Sequence, residues 1–185
     1  MRKALSLILV FVLCLSLCAC GSGSETIYNI GDTVKTDMVE IQLTKVVYDY
    51  QYPSPYEFLH PPAGKAFIQI SFNIKNIGKT TIETLPAKDG EKTSILDSLW
   101  LDYNNGYIFM ISKEGITNSL GEINRGFLFI ESYEFPLEPL SSALDCHPVF
   151  CVPSEVLTNK AAPLHFSINL PLSDGTYTTM TFKLR

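Results

Sequence analysis

The sequence predicts an all-β domain, a sandwich of two antiparallel sheets, and three observations carry that expectation. Apolar residues recur with period two, most clearly at Ala66, Ile68, Ile70, Phe72 and Ile74, the pattern of a strand with one buried face. Gly, Pro, Asn and Asp punctuate the chain between such stretches, as they do between the short strands of sandwiches. No stretch holds the 3.6-residue period of an amphipathic helix over three turns. The length of 185 residues suits one domain. A hydrophobic content of 46% is too high for a disordered chain.

Taken in order, Val39, Ile41 and Leu43 share one face of a strand, and Glu40, Gln42 and Thr44 the other. Residues 65–74 form the longest strand, closed by the turn chemistry of Asn76-Ile77-Gly78. Residues 100–109 read as a hairpin, with Asn105-Gly106 supplying the positive φ angles of a tight turn. Residues 127–135 read as another strand. Leu164, Phe166, Ile168 and Leu170 alternate again, Ser173-Asp174-Gly175-Thr176 turns the chain, and Met180, Phe182 and Leu184 give the last strand its inner face. Residues 94–101 and 154–159 have room for a helical turn or two. The expectation is about seven to nine strands and under ~10% helix.

The N-terminus sets the location. Arg2 and Lys3 precede an uncharged aliphatic run, ALSLILVFVLCLSL, and then Leu17-Cys18-Ala19-Cys20 and Gly21-Ser22-Gly23-Ser24. Basic, apolar and small-residue parts in that order make a secretory signal. Its apolar run falls short of the ~20 residues of a membrane-spanning helix, although an uncleaved anchor is the alternative. Leu17-Cys18-Ala19-Cys20 resembles the bacterial lipobox, which implies cleavage before Cys20 and acylation of its thiol. Two acyl chains hold a protein durably at ~0.8 kcal/mol per buried CH₂. The organisation is then a signal peptide at 1–19, a lipidated N-terminus and short spacer at 20–30, and a sandwich at 31–185. The expected place is the outer face of the cytoplasmic membrane, with the lipid as anchor. Loss of Arg2 and Lys3 takes the net charge from −5 to −7. So acidic a chain has no electrostatic reason to bind phosphate backbones, and nucleic acid is not an expected partner.

Two cysteines, Cys146 and Cys151, remain in the exported domain, where a disulfide can persist. On a straight strand they would lie ~17 Å apart, so a bond requires a turn around Pro148 to bring the Cα atoms within ~7 Å. Free thiols are the alternative. His147 adds a third soft donor, but adjacent Cys-His ligands do not match structural zinc spacing. No metal and no cofactor is expected.

Gly31-Asp32-Thr33-Val34, KAFIQISFNIKN at 65–76, the hairpin from Asp102 to Tyr107, and Phe150-Cys151-Val152-Pro153 followed by 164–170 occur in that order. Together they resemble a family of Gram-positive surface lipoproteins, a domain-of-unknown-function family related in fold to the mycobacterial immunoprotective extracellular antigen. The resemblance implies a single Ig-like antiparallel sandwich on the cell surface. It implies no activity and brings no catalytic residue. The cysteine pair, the long insert at 48–62 and Glu138-Pro139-Leu140 depart from the pattern.

That insert, YDYQYPSPYEFLHPP, holds four of the nine Tyr and four of the eleven Pro. Proline limits the entropy lost on fixing a loop, and Tyr gives large contact area at low entropic cost. Tyr50, Tyr52, Tyr56 and Phe58 are the candidate ligand contacts; the alternative is that these rings cap the core. Paired carboxylates for glycoside hydrolysis, Asp49 with Glu57 or Asp97 with Asp102, are no more than any acidic domain offers. No Gly-x-Ser-x-Gly elbow and no phosphate loop occurs. The expected role is a non-catalytic surface module that binds a protein or cell-wall glycan; the alternative is an extracellular hydrolase with a carboxylate site.

Cys20→Ala should abolish incorporation of radiolabelled palmitate and leave the precursor uncut. Label retained in that variant rules out the lipobox.

Overall fold

The computed structural model describes residues 26–51, 61–88, 95–111 and 136–185. One sheet runs in the order β1 (Ile27–Asn29), β10 (Tyr177–Lys183), β9 (Leu164–Pro171), β5 (Leu99–Tyr103) and β6 (Tyr107–Met110). The other holds β2 (Thr33–Lys35), β3 (Val39–Tyr48) and β4 (Lys65–Asn76), with β7 (Ser142–Cys146) and β8 (Val149–Pro153) both on the far side of β4. All pairings are antiparallel except β1 with β10. This is the all-β, Ig-like sandwich that the sequence predicts.

The ten described strands exceed the seven to nine expected. β1 and β2 have three residues each, too few to show a period, and β1 lies within the stretch read as spacer. Among the described residues helix is confined to a 3-10 turn at Ile95–Ser98 and to α1 (Glu155–Thr158), where a helical turn or two was expected. Residues 1–19, Cys20 and the expected strand at 127–135 lie outside the described residues.

The two sheets close on aromatic side chains. Phe166 of β9 has its ring centroid 6.1 Å from Phe72 of β4, 6.2 Å from Phe150 of β8 and 6.3 Å from Phe182 of β10. Tyr28 of β1 continues the row, 5.8 Å from Phe182. Around them pack Ile41, Leu43, Ile68, Ile70, Ile74, Leu99 and Leu101, all fully buried.

Alternation breaks once in β3, with consequences further along. Leu43 pairs with Phe72 but Lys45 pairs with Ser71, so Thr44 is an extra residue in a bulge. Before it the odd positions 39, 41 and 43 face the core. After it Val46 and Tyr48 stand opposite Ile70 and Ile68, so even positions face inward. The polar pair Thr44-Lys45 is the sequence trace of that change.

The outer face of the first sheet is not solvated throughout. Ser167 and Thr181 are buried with hydroxyls 3.1 Å apart. Asn169 is fully buried, donates to Ala87 O at 2.7 Å and accepts from Thr179 Oγ1 at 2.7 Å. The segment before β5 therefore lies over this face, and Lys88 Nζ sits 5.6 Å from the Trp100 ring. Asn76 does similar work at the end of β4, donating to Thr80 O and Leu137 O and accepting from the Gly78 N–H.

Phe166→Ala removes the ring that both sheets share and should cost ~3–5 kcal/mol in urea unfolding. Ile108→Ala, on a partly exposed edge strand, should stay within about 0.5 kcal/mol of the native chain.

Candidate functional site

The end of the sandwich where β3 and β10 finish and β4 begins gathers the aromatic residues that the core does not absorb. Tyr48 closes β3. Its hydroxyl donates to Leu184 O at 3.0 Å, and burial raises its pKa although the nearby Arg185 charge opposes the rise. Asp49 then takes a φ of 52°, so the chain does not continue as an extended strand. The row of Tyr48, Tyr50 and Tyr52 on one face is not formed at its first step. Tyr50 is half-buried, packs against the core, and donates its N–H to Phe67 O at 3.0 Å. Tyr52, Tyr56 and Phe58 lie outside the described residues.

Arg185 organises this end. Its Nη2 donates to Val156 O at 2.6 Å and its Nε to Ala162 O at 3.0 Å. Its guanidinium carbon stands 6.0 Å from the Tyr48 ring and 5.8 Å from the Tyr103 ring, within range for cation–π attraction. Tyr103 thereby has one neighbour on the core side and a second, Tyr107, at 6.2 Å across the hairpin.

Beside that pair lies an open cleft of about 240 Å³, lined by Tyr103, Asn104, Tyr107 and Phe109 on one side and by Pro153, Glu155, Val156 and Asn159 on the other. Register explains the first wall. Tyr107 pairs with Tyr103 and Phe109 with Leu101, so both rings face the gap between the sheets. The hairpin tip differs from expectation: Asn104 and Asn105 take φ of 53° and 54°, and Gly106 does not have a positive φ. Asn tolerates that region because its short side chain is accommodated there. Asp102 Oδ1 accepts the Gly106 N–H at 2.9 Å, and Asn104 N–H donates to Pro163 O at 2.9 Å, which fixes the tip against the segment before β9. α1 and the end of β8 form the second wall, joined to β4 by Ser154 N–H to Gly64 O. Tyr107 is 62% exposed, a large fraction for a ring next to a packed core. The sequence reading recognised this hairpin but passed over its rings; Tyr103, Tyr107 and Phe109 at alternate positions were the available signal.

Cys146 and Cys151 are both free thiols, so the disulfide that the sequence allowed is not formed. β7 and β8 lie end to end along β4, with Cys146 opposite Phe72 and Cys151 opposite Phe67. Five strand positions separate them, ~17 Å, and the break at His147-Pro148 does not fold the chain back. Burial, and then the Asp145 charge, push the Cys146 thiol up to about 12. Burial also raises Cys151, against the attraction of Lys65. Among the described residues no group of three His, Cys, Asp or Glu side chains is placed to hold a metal.

His147 instead links Ser71 to Asp145. Ser71 Oγ lies 3.1 Å from His147 Nδ1, and His147 Nε2 lies 3.2 Å from Asp145 Oδ2. One tautomer satisfies all three groups, with the serine hydroxyl donating to Nδ1 and Nε2–H donating to the carboxylate. The residue types are those of a hydrolase triad, but the exposure is reversed. Ser71 is 4% exposed and the Asp145 side chain 73%, whereas a working triad presents its serine and buries its carboxylate. The set clamps the break between β7 and β8. Of the carboxylate pairs, Asp97 precedes β5 and Asp102 lies near its other end, over ~10 Å away along the strand. Glu57 lies outside the described residues.

No family model and no curated protein matches the chain. Two solved structures resemble it. An uncharacterized beta-sandwich protein from Clostridium difficile 630 overlays with a TM-score of 0.49 at 19% identity, over 89% of this chain and 99% of that one. A conserved hypothetical protein from Bacillus anthracis overlays with a TM-score of 0.52 at 14% identity, over 89% of this chain and 100% of that one. The second likeness, at that identity, is one of fold.

Denatured, unreduced protein should show Cys146 and Cys151 as two titratable thiols, and none would restore the disulfide. In the native state at pH 8, Cys146 should alkylate more than about a hundredfold slower than an open thiol. The raised folded pKa fixes the sign of the pH effect. The contribution of this thiol to stability is complete below the ordinary thiol pKa near 9 and falls as pH rises toward about 12. Urea midpoints of native and Cys146→Ala protein should therefore converge in alkali.

Proposed function

We propose that this chain is a lipid-anchored, non-catalytic binding module on the outer face of a bacterial cytoplasmic membrane. The observation that carries the reading is the aromatic cleft between the β5–β6 hairpin and α1, with its exposed Tyr107. An exposed ring beside amides, on a frame of paired strands, suits recognition; a preformed surface loses little entropy on binding. Reversed exposure in the Ser71–His147–Asp145 set and the distance between Asp97 and Asp102 weigh against the hydrolase alternative.

The direction of the first strand suits an anchored module. β1 runs parallel to β10, and β10 ends beside Arg185 at the cleft end. Thr26 therefore precedes Ile27 on the side away from the cleft. If Cys20 carries the lipid, seven steps to Ile27 span at most ~25 Å. Such a tether holds the domain close to the bilayer with the cleft turned outward, toward wall polymers, secreted partners or neighbouring membrane proteins. Tyr50, one of the proposed contacts, belongs to the same end of the sandwich.

A photocrosslinking residue placed at Tyr107 in living cells should give a discrete adduct in the membrane or wall fraction. The same residue at Leu144, equally exposed on β7, should give none. Adducts of equal yield at both positions contradict a binding end.

A further inference from the structure

We infer that the cleft between the β5–β6 hairpin and α1 binds an uncharged N-acetylated hexosamine ring of a cell-wall glycan. The inference rests on the reading of the chain as a surface binding module and adds the class of ligand.

Size is the first argument. About 240 Å³ is below the roughly 300–1,000 Å³ of pockets for drug-sized ligands. Its eight lining residues are also far fewer than the roughly 20–30 a side that a specific protein interface uses. A single sugar ring, with its neighbours in the glycan chain continuing into solvent, is on the right scale for an open cleft.

Chemistry is the second. Tyr107 and Phe109 offer ring surface, and Pro153 and Val156 complete an apolar floor. A pyranose has one face rich in C–H groups that can lie on such a floor. Its edge carries hydroxyls and, in an N-acetylated sugar, an amide. The rim provides Asn104 and Asn159, exposed side-chain amides that make no hydrogen bond to another described residue. Each amide has two donors and one acceptor, which suits an acetamido group.

Charge is the third. Glu155 is the one carboxylate among the described lining residues, and an anionic ligand would meet it. Arg185 stands behind Tyr103, 5.8 Å from the ring, and opposes a cation. Groups of both signs at the margin leave the neutral ligand preferred. An acidic wall polymer and a free ammonium sugar are both disfavoured on this ground.

The test uses the full chain in mild detergent and the N-acetylglucosamine tetramer as probe, followed by titration calorimetry. One saturable site is expected, with a dissociation constant on the order of 0.1–1 mM for so small a contact. Tyr107→Ala should weaken it at least about tenfold, as loss of an aromatic anchor does. Asn159→Ala, a second exposed position, should weaken it at least about threefold for one lost hydrogen bond. Cellotetraose, which lacks the acetamido group, should bind more weakly than the probe. Equal affinity for native protein and both variants, or no saturation by about 10 mM probe, a hundredfold above the tighter limit, overturns the inference. Two outcomes separate this failure from failure of the underlying reading. An unbound tetramer together with a Tyr107-dependent crosslink in cells removes the glycan and keeps the binding module. Shorter oligosaccharides after incubation, seen by mass spectrometry, remove the non-catalytic reading itself.

Discussion

Phe166 lies in the space between two sheets packed on their apolar faces, with Phe72 and Phe150 of one sheet and Phe182 of the other around it. A sandwich of this size has no other source of comparable stability: among the described residues no disulfide links the sheets, and the ion pair Lys35–Glu40 is on the surface, where such pairs contribute little. The aromatic cluster therefore sets the spacing and relative position of the sheets. Interiors of this packing density transmit small displacements. The ends of the strands, and whatever they display, are placed by what happens at Phe166.

The β3 bulge turns that placement into a surface. Without the extra residue Thr44, Tyr48 would face outward and could not reach Leu184 O. With it, Tyr48 comes to one side of Arg185 and Tyr103 to the other. Arg185 is held there by two carbonyls, so its charge is fixed and its stem covers apolar surface. Tyr103 is then a rigid backing for Tyr107. The cleft is thus the product of a register change more than thirty residues away in β3, of the hairpin register and of one cation. Three independent constraints converge on it.

Strands were legible where apolar residues recur along one face. Val39, Ile41 and Leu43 on β3 gave a period of two because burial alternates there, and the even positions 66–74 on β4 gave it although Phe67 and Ser71 on the other face are buried as well. Legibility failed where burial comes from outside the strand. Ser167 and Asn169 look like a solvent face in sequence, yet the segment containing Ala87 covers them, and no local pattern records a cover supplied from eighty residues away. Three-residue strands were likewise silent. At the site the hairpin was visible and its purpose was not, since the second wall comes from β8 and α1. The disulfide reading failed because Pro148 was taken as a turn, whereas His147 and Pro148 only interrupt one edge of the sheet. The contact of Ser71, His147 and Asp145 across that interruption needed distances that sequence cannot supply.

The proposed module, anchored at one end and furnished with rings at the other, joins the N-terminal features to the cleft. Its central claim is that recognition happens at the strand ends and not on the sheet faces. The competing surface is the shallow groove on the outer face of the second sheet, lined by Thr33, Glu40, Gln42, Asn73, Lys75 and Leu144 among others. The most direct measurement is a nuclear magnetic resonance map of the isotopically labelled full chain during titration with a soluble N-acetylated glycan fragment. The account predicts shifts concentrated at Asn104, Tyr107, Phe109, Glu155 and Asn159, with the groove residues unmoved. Shifts centred on Gln42, Asn73 and Lys75, with Tyr107 unchanged, would contradict it.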